Sequence, residues 1–327
     1  MALKAFIKKH ILSESQIDKL KKKRDKKILS SRIKCQYKFK DRRKKSNKVC
    51  IVLAGYKPFL YDITFKRIKK FIPDDIDVCV VTSGMYSEDI YNRCKKNHWS
   101  YLSTKENNVA LVQNLAIHLH PEAQYIYKLD EDIFVTKNYF EILYKTLLKV
   151  EQEEPYNPLF VAPIIPINGY AHLRLLDKLN LIEEYEKRFE KTKYAAGIDR
   201  MIENNPDVAK FFWGEGNIVP GIDTINARLN SAKFEYSVCP IRFSIGAILF
   251  TRKVWSDMKG FSVNRRTTSM GDDEVELCSI AMKESKAIIV SENTIAGHLS
   301  FGPQNKEMEV FYKNNKDKFD IIEVESF

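Results

Sequence analysis

Three consecutive acidic residues, Asp130, Glu131 and Asp132, directly follow the apolar segment AQYIYKL of residues 123–129. Because that segment predicts a buried strand, packing gives no reason for acids at its end. In an extended chain Asp130 and Asp132 project to the same side. Carboxylate oxygens suit Mg²⁺ or Mn²⁺, which proteins often hold with one or two carboxylates plus substrate phosphates. The triplet therefore predicts a divalent-metal site for a diphosphate ligand, with an exposed acidic turn as the alternative.

A second acidic group, Asp272, Asp273 and Glu274, follows Gly271 and opens a helix-like run. A carboxylate in this group could take a proton from an acceptor hydroxyl while a metal neutralises a departing diphosphate. The alternative is an ordinary helix N-terminus, where acids interact favourably with the helix dipole. The presence of the first acidic triplet in the same chain favours a catalytic role for the second.

Short β-branched runs alternate with helix-like stretches from residue 48 onward. This alternation predicts an α/β fold with a parallel, doubly wound sheet that binds ligands at the carboxyl ends of its strands. Neither GxGxxG nor GxxxxGK[ST] follows the first strand, which disfavours a dinucleotide site and a P-loop. The predicted strands are 48–55, 77–84, 99–104 and 123–129, and the predicted helices are 60–71, 87–97 and 108–119.

The rest of the chain is divided by composition. Residues 155–240 are less regular and are interpreted as a specificity insert, after which strand-like and helix-like runs return at 242–255, 271–282 and 287–302. The predicted organisation is listed in order along the chain: a basic amphipathic arm (1–47), a donor-binding half (48–150), an acceptor insert (151–240), a catalytic half (241–302) and a tail (303–327).

On these residues the sequence resembles the GT-A glycosyltransferases, whose metal-binding DxD motif ends a strand in the same way. The resemblance covers residues 48–150 and 240–302. The segment FSIGAILFTRKVWSDMKGF followed by GDDEVELC is similar to inverting enzymes of family 2 and to β-1,4-galactosyltransferases. It implies a GT-A fold, which is a Rossmann-like sheet with helices on both faces. In this chain a helical insert and the basic helical N-terminal arm are expected in addition to that fold. It also implies Mn²⁺ or Mg²⁺ as cofactor.

The resemblance also implies roles for individual residues. Asp130, Asp132 and His298, the last in AGHLSFG, match metal-ligand positions. Asp273 matches the catalytic base, with Asp272 and Glu274 beside it; a frame shifted by one residue, which pairs DEVEL with the family's EDVEF, nominates Glu274 instead. The residues that match nucleotide-sugar contacts are Ala54, Gly55, Tyr56, Ser83, Asn108, Asn114, Asp130 and Glu131.

The family's helix pattern N-x-G-x-x-x-A-R-N is matched only in part, since Val109 and Gln113 stand where Gly and Arg are usual. The second strand also ends in Thr-Ser-Gly, where uridine-binding relatives often have Asp. UDP is expected, and GDP and CDP remain alternatives. The predicted acceptor contacts are Trp213, Glu215, Arg265 and Arg266, of which the tryptophan could instead be core.

Positive charge is concentrated at one end of the chain. Residues 1–48 carry 19 Lys and Arg against four acids, a net charge of +15, so residues 49–327 carry −4 although the whole chain is +11. Leu3, Phe6, Ile7 and Ile11 share one helical face, and Ser13 with Gln16 predicts a capping box. This arm is expected to bind an anionic membrane surface; a solvated or partner-packed helix pair is the alternative.

The six cysteines lack CxxC spacing, and no apolar stretch of about 18 residues or signal peptide is present. We therefore expect a cytoplasmic enzyme with reduced thiols, which the arm could attach to the inner face of the cell membrane. The expected reaction is inverting transfer from a nucleotide-diphosphate sugar to a glycan or lipid-linked acceptor in bacterial surface polysaccharide synthesis. The alternatives are a retaining glycosyltransferase, a nucleotidyltransferase, or a nucleic-acid-binding protein that uses the arm, although no nucleic-acid partner is expected.

Overall fold

The computed structural model describes residues 13–153, 155–194, 201–264 and 271–324. Its strands, in chain order, are β1 (Tyr37–Lys40), β2 (Lys48–Leu53), β3 (Asp77–Ser83), β4 (Ser100–Thr104), β5 (Tyr125–Asp130), β6 (Ile133–Phe134), β7 (Pro158–Ile164), β8 (Tyr236–Cys239), β9 (Ala247–Thr251), β10 (Ala287–Ile295) and β11 (Gly297–His298). Nine of these strands form one sheet in the order β1-β4-β3-β2-β5-β9-β7-β10-β8, and β6 pairs with β11 in a separate two-stranded ribbon.

The large sheet is mostly parallel. Strand β2 lies parallel to β3 and β5, β3 to β4, and β7 to β10. Three strands run the other way: β1 and β8 at the two edges, and β9 between β5 and β7. This arrangement confirms the predicted α/β class with a Rossmann-like, GT-A-type sheet. The chain moves outward from β2 to β4 and then returns to the other side of β2 with β5, which creates a topological switch point where such sheets bind ligands.

The helices cover the sheet on both faces and form the region between β7 and β8. They are α1 (Glu14–Ile33), α2 (Tyr61–Phe71), α3 (Glu88–Lys96), α4 (Val109–Leu119), α5 (Tyr139–Glu153), α6 (Ala171–Leu179), α7 (Ile182–Arg188), α8 (Met201–Asn204), α9 (Pro206–Phe212), α10 (Ile222–Ser231), α11 (Arg252–Asp257), α12 (Asp272–Lys283) and α13 (Asn305–Asn314). The predicted elements up to residue 130 agree with these bounds to within two residues. Strand β3 is buried along its whole length, as expected for a parallel strand covered on both faces.

The predicted insert is more closely joined to the sheet than the sequence indicated. Strands β7 and β8 both belong to the large sheet, so only the helices between them form an addition to it. Strand β7 is an uninterrupted buried run that contains two prolines, Pro158 and Pro163. Proline is unusual within a central strand because it cannot donate to the ladder, and this hid the strand from pattern analysis.

The N-terminal arm is also part of the folded domain beyond its first helix. Strand β1, which lies within the predicted arm of residues 1–47, pairs with β4 and extends the sheet. Helix α1 begins with the predicted capping box of Ser13 and Gln16. At its other end the Arg32 guanidinium donates to the carbonyls of Met258 and Gly260. Helix α1 is therefore fixed at its C-terminal end.

The outer side of α1 is polar and rich in lysine, and none of its residues is fully buried. Residues Leu3, Phe6, Ile7 and Ile11 of the arm lie outside the described residues, so binding of the arm to an anionic membrane surface stays a prediction. In the described part of the chain, helices long and apolar enough to cross a bilayer are absent. All six cysteines are free thiols, and five of them are buried.

A buried ion pair joins α2 to α10, in the region between β7 and β8. The Arg67 guanidinium, on α2, donates to both carboxylate oxygens of Asp223, on α10, at 3.0 and 2.9 Å. It also donates to the carbonyl oxygens of Val135, Phe319 and Asp320. Arg67 is completely buried, and Asp223 nearly so. One guanidinium therefore connects four segments that are distant in sequence: α2, the chain at Val135, α10 and residues 319–320.

Replacing this guanidinium is expected to destabilise the protein strongly. Arg67→Met leaves the Asp223 carboxylate buried without its counter-charge, a change that typically costs about 3–5 kcal/mol. The measurement is the free energy of unfolding by urea denaturation. Arg93→Met is the matched control, because Arg93 also contacts two carboxylates but at the surface, where such pairs contribute about 1 kcal/mol or less. Equal losses in the two variants would contradict the expected role of Arg67.

Candidate active site

The candidate site lies at the edge of the sheet where the parallel strands end. Leu53 at the end of β2 is paired in register with Asp130 at the end of β5, and β9 begins beside them just after Gly246. The ribbon of β6 and β11 follows at the same edge, with His298 opposite Ile133. Since parallel strands share one carboxyl edge, segments separated by more than 200 residues meet here.

Glu131 fixes the loop after β2. Its carboxylate accepts hydrogen bonds from the backbone N–H groups of Gly55, at 2.8 Å, and Tyr56, at 2.9 Å. Burial raises the pKa of Glu131, and these backbone donors oppose that shift. Glu131 was predicted to contact the nucleotide sugar; the structure instead shows its carboxylate engaged with the loop, which shapes the switch point.

Asp132 lies at the centre of the site with two nitrogen groups on one carboxylate oxygen. Its Oδ2 atom lies 2.5 Å from Lys57 Nζ and 3.3 Å from His298 Nε2. Burial by itself raises the pKa of Asp132, but His298 and Lys57 outweigh it and hold the pKa well below its ordinary value. Asp132 is therefore a carboxylate, nearly buried, with an imidazole and an ammonium beside it.

The ribbon and a tryptophan place His298 beside Asp132. The Leu299 N–H donates to the Asp132 carbonyl at 3.1 Å, and the indole N–H of Trp213 donates to the His298 carbonyl at 3.2 Å. The Trp213 ring lies so close to Gly297 that a Cβ there would approach it to 2.5 Å. His298 Nδ1 is buried and has no hydrogen-bond partner among the described residues.

An acceptor contact by Trp213 stays a prediction, and the structure places this residue in the interior. Its ring is 6% exposed and packs against Phe134 and Phe319, so its surface is not open to a sugar. Phe211 and Phe212 are likewise buried. Trp213 instead supports the backbone of His298.

Asp130 has a lysine partner of its own. Lys128 Nζ lies 2.7 Å from Asp130 Oδ1, and the two side chains leave β5 on the same side. Burial raises the pKa of Asp130, and Lys128 opposes the rise. A Cβ added to Gly246 would come within 3.1 Å of Asp130 Oδ2, so the glycine leaves room for this carboxylate.

Asp272, Asp273 and Glu274, the second acidic group, have different surroundings at the start of α12. Asp273 Oδ2 accepts a hydrogen bond from Gln113 Nε2, on α4, at 2.8 Å. Glu274 forms an ion pair with Arg242 Nε at 3.0 Å and accepts from the Ile245 N–H. Asp272 is exposed. The two inward-facing carboxylates therefore contact different parts of the molecule.

Glu274 lies on the side of the metal motif. Its backbone partner Ile245 precedes Gly246, which contacts Asp130, and Lys128 interacts electrostatically with both carboxylates. Burial raises the pKa of Glu274, while Arg242 and Lys128 lower it. These contacts connect Glu274 with Asp130 through one shared lysine.

Several predicted nucleotide contacts have structural functions. Asn108 caps α4 by accepting from the Leu111 N–H, and Ser83 Oγ accepts from the Asn108 N–H. Tyr56 is 62% exposed at the switch point and remains open to a ligand. Ala54 is buried beneath it at the end of β2. These residues line the carboxyl edge as predicted, although Ser83 and Asn108 hold each other in place.

Asn114 is a correction to the prediction. It is fully buried, and its side chain bonds to the Trp255 indole and to both backbone polar groups of Phe261. The amide thus joins α4 to the segment after α11 and cannot also contact a nucleotide. Of the other predicted acceptor contacts, Glu215 is exposed. Arg265 and Arg266 lie outside the described residues.

Sequence reasoning missed the basic partners of the acidic motifs. Lys128 stands two residues before Asp130 on the same strand, so the period-2 rule alone could have found it. Lys57 and Arg242 carry no such local signal because they meet their carboxylates only through the tertiary fold.

The side chains at this site are of the chemical types that bind a divalent metal. Aspartate oxygens and an imidazole nitrogen suit Mn²⁺, and the buried Nδ1 of His298 leaves that imidazole without a protein partner on its far side. Within the described residues no group of three His, Cys, Asp or Glu side chains converges closely enough to hold a metal alone. Asp132 and His298 converge, so a metal here would need the phosphate oxygens of a ligand to complete its coordination.

Comparison with known proteins finds likenesses of low sequence identity among solved structures. No protein-family model matches the sequence, and no curated protein matches it. Among solved structures, the chain is similar to the mannosyltransferase PcManGT from Pyrobaculum calidifontis in complex with GDP-Man and Mn²⁺. The identity is 13% and the TM-score 0.44, over 85% of this chain and 63% of that chain. The chain thus spans less than two thirds of the length of that structure.

Proposed function

We propose that this chain is a metal-dependent glycosyltransferase that moves a sugar from a nucleotide-diphosphate sugar to a glycan or lipid-linked acceptor. The observation that carries the proposal is the convergence of Asp132 and His298 at the switch point of the sheet, with Asp130 two residues away. A crevice at this point is where open α/β sheets bind nucleotides. The site thus combines a nucleotide-binding position with metal ligands.

The metal would be held by Asp132, His298 and phosphate oxygens of the donor, while Asp130, paired with Lys128 in this structure, stays a predicted further ligand. Mn²⁺ or Mg²⁺ bound there would neutralise charge that develops on the departing diphosphate. The remaining work falls to the chain's own groups. Glu131 holds the Gly55–Tyr56 loop in place, and the exposed ring of Tyr56 can stack on the base or ribose. Lys57 and Lys128 supply positive charge beside the carboxylates.

We assign the role of general base to Glu274 in preference to Asp273. Two contacts support this choice, the ion pair with Arg242 and the hydrogen bond from Ile245, and Glu274 also lies within the electrostatic influence of Lys128, which pairs with Asp130. A carboxyl whose pKa burial has raised is also a more effective base near neutral pH. Asp273, held by Gln113, then positions the start of α12.

A transfer with a single base carboxylate proceeds with inversion at the sugar carbon, since the acceptor oxygen attacks from the face opposite the leaving diphosphate. The test of this part is the anomeric configuration of the product, measured by NMR. A retained configuration would remove the base role from both carboxylates and favour a retaining transferase.

The first experiment is thermal stabilisation of the full chain by UDP, GDP and CDP, each with and without Mn²⁺. A ligand at about 100 times its dissociation constant adds about 2.7 kcal/mol to stability. We expect UDP to stabilise the protein only when Mn²⁺ is present, because two side chains alone give the metal too few ligands. A shift with GDP or CDP instead would change the donor class and leave the site intact.

The absence of any nucleotide effect, with or without Mn²⁺, would overturn the proposal. The alternative function would then be nucleic-acid binding by the basic arm. It would be measured as salt-dependent binding of an oligonucleotide.

A further inference from the structure

Lys57 occupies the position of a cation at the metal-binding carboxylate. Its ammonium lies 2.5 Å from Asp132 Oδ2, the same oxygen that faces His298 Nε2 at 3.3 Å. Its other polar neighbour is Ser300 Oγ, at 3.5 Å. Since a divalent ion at Asp132 and His298 would need this oxygen, Lys57 and the metal compete for one ligand atom.

The backbone of Lys57 is fixed, whereas its side chain is long, flexible and partly exposed. The residues before it are held by Glu131, and its own carbonyl accepts from the Leu60 N–H at 3.0 Å. Four methylene groups separate this fixed backbone from the ammonium, and the side chain is 18% exposed, so it is less confined than a fully buried lysine.

Lys128 differs from Lys57 in its exposure and in its position within the sheet. It is only 3% exposed, and it rises from the centre of the sheet to Asp130. An ammonium at that depth cannot leave its carboxylate without losing its charge partner altogether. The site thus has one lysine that stays with Asp130 and one that can leave Asp132.

We propose that Lys57 is a built-in cation that holds the place of the metal at Asp132 and passes to the donor's diphosphate when metal and nucleotide bind together. The proposal rests on the function proposed above. Displacing the ammonium from a nearly buried carboxylate is unfavourable unless another anion receives it, and a diphosphate supplies that anion. Metal and nucleotide should therefore bind cooperatively, and linkage requires the coupling to be the same in both directions.

The test compares the Mn²⁺ dissociation constant of the full chain with and without saturating UDP, read from the electron paramagnetic resonance signal of free Mn²⁺. In the wild type we expect UDP to tighten Mn²⁺ binding by roughly 10- to 100-fold, within the usual range of coupling between sites. In Lys57→Met the Mn²⁺ alone should bind at least about fivefold more tightly, and the effect of UDP should fall to about threefold or less.

Two further variants keep the test decisive. Lys57→Arg retains a cation and should retain the weak binding of Mn²⁺ alone. Lys70→Met removes an exposed lysine on α2 that pairs with Glu323, and it should match the wild type in every measurement.

Unchanged Mn²⁺ affinity and unchanged coupling in Lys57→Met would overturn the proposal about Lys57 and leave the glycosyltransferase function standing. If the wild type binds none of UDP, GDP and CDP with Mn²⁺ present, both proposals fail together. If UDP proves inert while GDP or CDP binds, the same comparison is made with that nucleotide.

Discussion

Asp132→Asn is expected to lower sugar transfer by roughly 10²–10⁴-fold and to remove the Mn²⁺ dependence of nucleotide binding. A metal contributes several kcal/mol of charge stabilisation in the transition state, and each 1.4 kcal/mol corresponds to about tenfold in rate. The amide oxygen of Asn is a weaker metal ligand because it is uncharged, yet it can still accept from Lys57 and keeps the volume of Asp132. The measurements are the transfer rate and thermal stabilisation by UDP with increasing Mn²⁺.

The matched control for this variant is Asp62→Asn, which neutralises an aspartate at the start of α2 whose side chain is 85% exposed and pairs with Arg93. It should leave transfer and metal response unchanged. Full activity in Asp132→Asn, with an unchanged Mn²⁺ titration, would show that the predicted metal motif has no catalytic function.

Glu274→Gln is expected to lower transfer by about 10²–10⁴-fold, the usual contribution of a general base, while donor binding stays within about threefold of the wild type. Glutamine keeps the shape of the side chain and can still accept from the Ile245 N–H, but it cannot take the acceptor's proton. The readouts are the transfer rate at saturating donor and the stabilisation by UDP with Mn²⁺, which together separate catalysis from binding.

Asp273→Asn provides the comparison, because Asn can still contact Gln113 at the same position. We expect it to retain more than about a tenth of the transfer rate. The reverse result, with Asp273→Asn inactive and Glu274→Gln active, would reinstate the frame of the resemblance in which Asp273 is the base. Loss of stability in either variant is checked by urea denaturation, so that unfolding is not mistaken for loss of chemistry.

Local pattern was sufficient for the first half of the fold. The strands of residues 48–130 are short, apolar and largely buried, and the helices between them carry polar faces and caps such as Asn108. Each of these signals acts within one element, so the sequence alone predicted the elements, their parallel arrangement and the acidic edge. Strand β7 escaped because two prolines broke the pattern, and β8 because only one of its four residues is fully buried.

What the sequence by itself determined is therefore the type of sheet and the edge at which chemistry can occur. Only the tertiary structure decided which groups meet there: Lys57 and His298 at Asp132, Arg242 at Glu274, and Gln113 at Asp273. It also assigned Asn114 and Trp213 to the interior. The physical reason is that strand and helix signals come from neighbours in the chain. A charge instead finds its partners through packing between distant segments, as at Asp132, where Lys57 and His298 meet although 241 residues separate them, and no local pattern encodes such a meeting.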